Sequence, residues 1–206
     1  MKRLPDDLAT KLLEVADALP EGTGFDVSID ELAKLSGVPR ATLYYYFSGK
    51  EDVVQFYVNN LLERTAGAMN AAASAGGTVV ERLGGTLTAM LHAFAAYPRM
   101  CVELPALVKE IHEFGTVVAH IEQAVLAPVR ELLIEGRANR ELVVPDVDLA
   151  AVSLLGAIHM VAMMDIVTTG QLDADGRARA LVPQLMRGLL PRSHRAHNPK
   201  GSAPKH

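Results

Sequence analysis

The segment 28–53, SIDELAKLSGVPRATLYYYFSGKEDV, constrains the fold of this chain more than any other. It starts with Ser28 and Glu31 at the spacing of a capping box, in which each side chain pairs with a free backbone N–H at a helix start. Gly37 suits a tight turn that requires a positive φ, and a second short helix is predicted over residues 40–47. Two short helices joined in this way predict a helix-turn-helix, although such turns also occur in other helical proteins.

The second helix of this segment has an unusual surface, because three consecutive tyrosines follow Arg40 and Thr42. Neighbouring residues on a helix point about 100° apart, so Tyr44, Tyr45 and Tyr46 cannot all face a core. At least one of them must lie outside. An exposed aromatic ring with a polar tip suits contact with phosphates or base edges. The composition of this helix therefore indicates contact with DNA.

The remaining sequence predicts an all-α fold. Apolar residues recur at helical spacing, alternating β-type runs are scarce, and aromatic residues make up only 5% of the chain. Ser48 and Glu51 repeat the capping-box spacing, and Pro105 and Pro128 are expected to kink or split their helices. The predicted helices span residues 8–19, 28–35, 40–47, 50–73, 78–96, 98–112, 116–138, 146–169 and 174–190.

Composition excludes several classes of protein. The net charge of −4 gives no whole-chain attraction to nucleic acid, and a single cysteine, Cys101, leaves no internal disulfide. The N-terminus has no signal-peptide pattern, and the apolar run 149–164 is shorter than the roughly 20 residues of a membrane span. We predict a cytoplasmic protein without a membrane partner. Scattered histidines and missing catalytic motifs predict no metal, no cofactor and no enzyme activity.

Residues 28–53 resemble the signature of the tetracycline-repressor (TetR) family of bacterial transcription regulators. The shared pattern is a helix, a Gly-Val turn, a Thr-Leu-Tyr recognition helix, and a small-residue turn before Lys-Glu. The resemblance implies a homodimer that binds a palindromic operator and releases it when a small ligand enters the C-terminal domain. It divides the chain into a three-helix helix-turn-helix DNA-binding head (1–53) and a helical ligand-binding and dimerisation domain (54–190). Composition predicts a disordered basic tail (191–206).

The resemblance also assigns DNA contacts by position. Lys50 matches a phosphate contact at a helix N-terminus, Ser28 matches a backbone contact, and Tyr46 stands where the family often has histidine. The acid Asp30 departs from the pattern because it lies near the expected DNA face, where it would repel phosphate. Residues 1–66 hold 7 basic and 11 acidic residues, so we expect a modest salt dependence of DNA binding. The remaining assigned contacts are Arg40, Ala41, Thr42, Tyr44 and Tyr45.

The helix at 146–169 is apolar nearly all round, so it must be buried on most sides. By resemblance, it and the last helix form a four-helix dimer interface. His159 and Asp165 are polar groups in this apolar helix, and each either anchors a ligand or hydrogen-bonds within the fold. The residues assigned to the dimer interface are Leu155, Ile158, Leu181, Leu185 and Leu189.

An apolar or amphipathic effector is expected, because methionine and aromatic side chains on the middle helices suit an apolar site. At helical spacing the same residues also suit a plain core. An alternative function is a helical adaptor of the same fold that has lost specific DNA binding, which the acidic head and Asp30 suggest. The candidate ligand-binding residues are Met90, Leu91, Phe94, Met100, Leu104, Leu107, Phe114, Val118, Ile121, His159 and Met163.

Overall fold

The computed structural model describes residues 4–17, 28–98, 101–102 and 114–190. Within these ranges every regular element is a helix, which confirms the predicted all-α class. Most of the helix predicted at 98–112 and the whole tail predicted at 191–206 lie outside the described residues. The helices are α1 (Asp6–Asp17), α2 (Ile29–Ser36), α3 (Arg40–Tyr46), α4 (Lys50–Ala73), α5 (Val79–Ala96), α6 (Phe114–Ile121), α7 (Ala127–Ala138), α8 (Val147–Thr169) and α9 (Ala174–Leu189).

Helix α2 has the ends that its sequence predicts. The Ser28 hydroxyl accepts a hydrogen bond from the Glu31 N–H at 3.2 Å, and the Glu31 carboxylate accepts one from the Ser28 N–H at 3.0 Å. Gly37 ends the helix with a φ of 64°, in the left-handed region where residues with a Cβ are strained. These two caps fix the angle at which the chain turns into α3.

The second predicted capping box is wrong. Gly49, not Ser48, is the N-cap residue of α4, and it makes no side-chain cap bond. The Asp52 carboxylate instead accepts a hydrogen bond from the Ser48 backbone N–H at 2.7 Å. Asp52 is three residues beyond the cap, where an acid also interacts favourably with the helix dipole. A capping box that the sequence analysis did not recognise joins Thr78 to Glu81 at the start of α5.

Helices α6 and α7 are joined by a π-helical turn, Glu122–Leu126, so the predicted 116–138 helix is continuous but irregular. Pro128 is the second residue of α7, two positions after the last residue of this turn. Proline has no N–H to donate, and its ring clashes with the carbonyl four residues before it. The wider π turn accommodates that clash without breaking the helix, which is the form that the expected kink at Pro128 takes.

Helix α4 belongs to both halves of the molecule. Its first turns complete the head core, where Leu12, Leu43, Phe47 and Val53 are at most 1% exposed. The Tyr57 hydroxyl donates a hydrogen bond at 2.8 Å to the Leu12 carbonyl of α1. The later turns of α4 pack against α5. The helix runs without a break across the predicted domain boundary at residue 53.

The body is organised around α5, which contacts α4, α7, α8 and α9. Its side chains Leu83, Leu87 and Leu91 are fully buried. Ion pairs link the surrounding helices at the edges of this core. Arg82 of α5 pairs with Glu135 of α7, and Arg177 of α9 pairs with Asp165 of α8.

Helix α8 is buried on one side and exposed on the other. Ile158 and Ala162 have no exposed surface, whereas Leu149 is 64% and Val167 is 61% exposed. By length and apolarity alone this 23-residue helix could cross a membrane, and a third of its most apolar window is buried inside the fold. Core helices of soluble proteins meet the same criteria.

The Thr78–Glu81 capping box predicts a measurable contribution to stability. Hydrogen bonds from the backbone and hydroxyl of Thr78 lower the pKa of Glu81. We expect Thr78→Ala to lower the free energy of unfolding by about 1 kcal/mol at neutral pH. A lowered carboxyl pKa stabilises the folded state fully at pH values above the ordinary pKa of the carboxyl group. This stabilisation is lost as the pH falls through the lowered pKa. The deficit should therefore shrink in acid.

Urea denaturation at pH 7 and pH 3 measures this effect. The matched control is Thr88→Ala in the same helix, because the Thr88 hydroxyl only bonds back to the Gly84 carbonyl. Equal losses for the two variants would contradict a specific capping role.

Candidate functional site

Helix α3 is held by one face and exposes the other. Leu43 and Phe47 are fully buried and fix the helix to the head core. On the opposite face Tyr44 and Tyr45 are 53% and 60% exposed. Arg40 and Ala41 are also exposed, and Thr42 is half-buried. These five residues, assigned to DNA by resemblance, therefore share one accessible surface.

Three other assigned residues are placed differently. Tyr46 is half-buried against the core, and its ring meets the Tyr45 ring edge-on with centroids 5.0 Å apart. The Ser28 hydroxyl and N–H both donate to the Glu31 carboxylate, so the capping box already uses these donors. Lys50 is the first residue of α4, next to Glu51. The accessible surface therefore centres on the α3 residues.

Asp30 of α2 is paired with the candidate recognition arginine. The Arg40 guanidinium lies 2.6 Å from the Asp30 carboxylate, and the Tyr44 hydroxyl donates to the same carboxylate at 3.3 Å. The side chains of Arg40 and Asp30 are 64% and 40% exposed. Asp30 lies beside the exposed α3 residues, near the expected DNA face, and its pairing with Arg40 links α2 to α3.

The body contains a largely apolar cavity of about 280 Å³ between α4, α5, the α6–α7 segment and α8. Four predicted ligand-binding residues, Met90, Phe94, Ile121 and His159, line it. The other lining residues are Leu61, Leu62, Thr65, Val125, Leu126, Val152, Leu155 and Gly156, none of which was predicted as a ligand contact. In sequence they look like core positions, and no pattern separates a wall residue from a core residue.

Several predicted ligand residues do not line this cavity. Leu91 is fully buried in the core, Val118 is 44% exposed, and Met163 packs half-buried against the core. These side chains do not reach the cavity because a helix presents only one stripe of its side chains to it. Phe114 starts α6, but its side chain is outside the described part of the structure. Met100, Leu104 and Leu107 are also outside the described residues.

The predicted dimer contacts on α8 need correction. Ile158 has no exposed surface in the single chain, and Leu155 is 6% exposed and lines the cavity. Ile158 has no accessible surface with which to contact a second chain, and Leu155 is buried in the cavity wall, so both belong to the interior of the protomer. Leu181, Leu185 and Leu189 of α9 are half-buried and keep accessible surface.

The two polar residues of α8 are both used within the fold. Asp165 accepts two hydrogen bonds from Arg177 at 2.5 and 2.6 Å, and this pairing raises the pKa of Arg177. His159 Nε2 lies 2.9 Å from the Cys101 carbonyl oxygen, and its ring packs on Phe94. Burial raises the pKa of Cys101 to about 12, so this thiol is not a ready nucleophile. The described residues contain no cluster of acids, histidines and cysteine that could hold a metal.

Comparisons with known proteins agree with this geometry. Residues 12–55 match the family described as bacterial regulatory proteins of the tetR family. The HTH-type transcriptional regulator EthR of Mycolicibacterium smegmatis is 26% identical over 164 residues, covering 77% of this chain and 76% of EthR.

Two solved structures have a similar fold. The regulator FadR from Bacillus subtilis, solved in complex with stearoyl-CoA, superimposes with a TM-score of 0.75 at 19% identity. The match covers 87% of this chain and 98% of FadR. A TetR/AcrR-family regulator from Thermobifida fusca has a TM-score of 0.70 at 24% identity, over 89% of this chain and 98% of its own.

The helix-turn-helix head, residues 12–55, matches the tetR family, and the chain as a whole has the fold of a solved TetR/AcrR-family regulator. Its helix-turn-helix head and helical C-terminal domain, which the sequence predicted, are confirmed. The proteins that match this chain are transcription regulators.

The Asp30–Arg40 pair predicts a specific effect on DNA binding. We expect Asp30→Asn to raise affinity for random-sequence DNA several-fold, because it removes an acid near phosphate and releases one cation. The slope of log affinity against log salt should steepen by up to about one. Fluorescence anisotropy with labelled random duplex DNA over a salt series measures both quantities.

Glu14→Gln is the matched control, since it removes one exposed acid from α1 of the same head. If Glu14→Gln strengthens binding equally, net charge alone would explain the result and the Asp30–Arg40 contact would have no role.

Proposed function

We propose that this regulator is a ligand-responsive repressor that binds a palindromic operator as a homodimer in the cytoplasm. The observation that carries the proposal is helix α4. It packs in the head core through Val53 and Tyr57, and it forms a wall of the apolar cavity through Leu61 and Thr65. A ligand in the cavity therefore contacts the same helix that supports the DNA-binding head.

The effector is proposed to be a small apolar or amphipathic molecule. Ten of the twelve described residues that line the cavity are apolar or glycine, which favours an apolar body with few polar groups. The FadR structure in complex with stearoyl-CoA supports an effector with an apolar chain. Ligand binding would favour a state in which the two heads no longer fit the operator. A typical coupling of about 1–3 kcal/mol weakens DNA binding roughly 5- to 150-fold.

Selection of fragmented genomic DNA on the purified protein, at low and at physiological salt, tests the proposal. Recovery of one palindromic sequence is the expected result. Recovery of no specific sequence would overturn it and favour the alternative, a helical adaptor of the same fold without specific DNA binding. The acidic balance of the head is the observation behind that alternative.

Arg40 is proposed to read a base edge, with Thr42, Tyr44 and Tyr45 fixing the register of α3 on the duplex. One bidentate base contact is worth about 1–3 kcal/mol. We therefore expect Arg40→Ala to weaken operator binding about 10- to 100-fold and random-DNA binding much less. Anisotropy titrations with both duplexes measure the ratio. Lys50→Ala is the comparison, because a phosphate contact should weaken binding to both duplexes alike. Equal losses on both duplexes for Arg40→Ala would contradict base reading.

The proposed dimer interface combines the exposed stripe of α8 with α9. Leu149, Met160, Met164 and Val167 are each at least 50% exposed and recur along one side of α8. A continuous apolar stripe of this kind is typical of an interface. A two-fold interface also suits a palindromic operator, since the recognition helices must sit roughly 34 Å apart. The α9 residues Leu181, Leu185 and Leu189 extend the proposed interface.

We expect Met164→Asp to halve the molar mass in solution, because it places a charge within the proposed interface. Ile134→Asp is the matched control, since Ile134 is equally exposed, at 49% against 50%, but lies on α7. Light scattering coupled to size exclusion measures the mass. A Met164→Asp protein that remains dimeric, or a dimer lost equally in both variants, would contradict the assignment.

A further inference from the structure

Among the described residues that line the cavity, two are polar, Thr65 of α4 and His159 of α8. The Thr65 side chain is only 6% exposed and contributes to the cavity wall. A hydroxyl at the wall of an apolar cavity loses hydrogen bonds when an apolar ligand displaces water from it, which is unfavourable unless the ligand replaces them. A ligand that supplies such a bond would therefore gain affinity at Thr65.

The hydrogen bond of His159 defines what its ring can offer. The partner of Nε2 is a backbone carbonyl oxygen, 2.9 Å away, which can only accept. Nε2 therefore donates its N–H to this oxygen, and the tautomer with this N–H has Nδ1 as an acceptor. The Phe94 ring, 5.3 Å away between centroids, packs on the imidazole and also lines the cavity. Among the described residues, Nδ1 has no hydrogen-bond partner.

The lining also restricts the charge and size of the ligand. None of the described lining residues is Lys, Arg, Asp or Glu, so the described wall offers no permanent counter-charge to an ionic group. The cavity volume of about 280 Å³ is at the low end of the range of about 300–1,000 Å³ that is typical of small-molecule sites. The cavity thus fits a compact ligand, about the size of a medium-length alkyl chain.

We propose that the cavity binds a neutral, medium-chain alcohol-like molecule. Its apolar body packs against the apolar wall, and its hydroxyl forms hydrogen bonds with Thr65 and His159. A hydroxyl both donates and accepts, so it matches the bare Nδ1 and the threonine hydroxyl together. An ether lacks the donor, and a carboxylate is an anion. This inference rests on the proposed effector role of the cavity, and it specifies the chemical class of the effector.

Three probes of similar size separate these possibilities: 1-octanol, its isomer heptyl methyl ether, and octanoate. Calorimetric titration of the full chain without DNA measures binding directly. We expect 1-octanol to bind about tenfold more tightly than the ether and than octanoate. Equal binding of 1-octanol and the ether would overturn the donor requirement. Tighter binding of octanoate would overturn the neutral class and indicate a protonated His159.

Variants assign the hydrogen bonds. Thr65→Val removes the hydroxyl at nearly constant volume, and it should weaken 1-octanol binding several-fold while leaving the ether unchanged. Thr65→Ser should restore binding. Thr86→Val is the matched control, because Thr86 is fully buried on α5, bonds to the Arg82 carbonyl and does not line the cavity. A loss for Thr86→Val as large as for Thr65→Val would overturn the assignment.

His159→Phe keeps an aromatic ring on Phe94 and should bring 1-octanol binding down to that of the ether. Because this change also removes the hydrogen bond to the Cys101 carbonyl, the melting temperature of the His159→Phe variant is measured first. If that variant does not fold, the Thr65 variants alone test the proposed hydrogen bonds. Release of operator DNA by 1-octanol is then a separate measurement. Binding of 1-octanol without release of DNA would refute the effector role proposed above but would leave the ligand class intact. Release of DNA without a preference for 1-octanol over the ether would support the effector role but refute the ligand class.

Discussion

The structure depends on α4 being one uninterrupted helix. Phe56 and Tyr57 are 3% exposed in the head core, and Leu61 and Leu62, only one turn later, line the cavity. One turn is about 5.4 Å along the axis. No flexible linker separates the two environments, so a rotation or shift of α4 at the cavity must displace the head core as well. The hydrogen bond from Tyr57 to the Leu12 carbonyl ties α1 to the same helix.

Local chemistry made the element boundaries predictable. Predicted and observed limits of α2, α4, α5 and α8 agree within one residue, because Ser28, Gly37 and Gly170 act through their own neighbours in the chain. The failures came where two local solutions compete. The sequence permitted a cap at Ser48, but Asp52 satisfies the same N–H from inside the helix. The π turn before Pro128 likewise depends on packing that the sequence does not display.

The sequence predicted the α3 surface better than it predicted the cavity. The exposed face of α3 was predictable in part, because three consecutive tyrosines cannot all be buried, and the structure shows that Tyr44 and Tyr45 are the exposed ones. The cavity could not be predicted, because α8 is apolar on all sides and its pattern does not distinguish core, cavity wall and interface. Ile158 and Met160 look alike in the sequence, yet one is fully buried and the other is 53% exposed. That difference arises from tertiary packing.

The pairing of Arg40 with Asp30 has a consequence for how the regulator finds its site among the many wrong ones in a chromosome. Residues 28–53 hold three basic and four acidic residues, so the head adheres weakly to DNA that offers no specific contact. A genome presents about 10⁶–10⁹ competing sites, which sequester strongly basic proteins. A head whose arginine is paired with its own carboxylate would be expected to stay free more often and to spend less time on each wrong site than a strongly basic head.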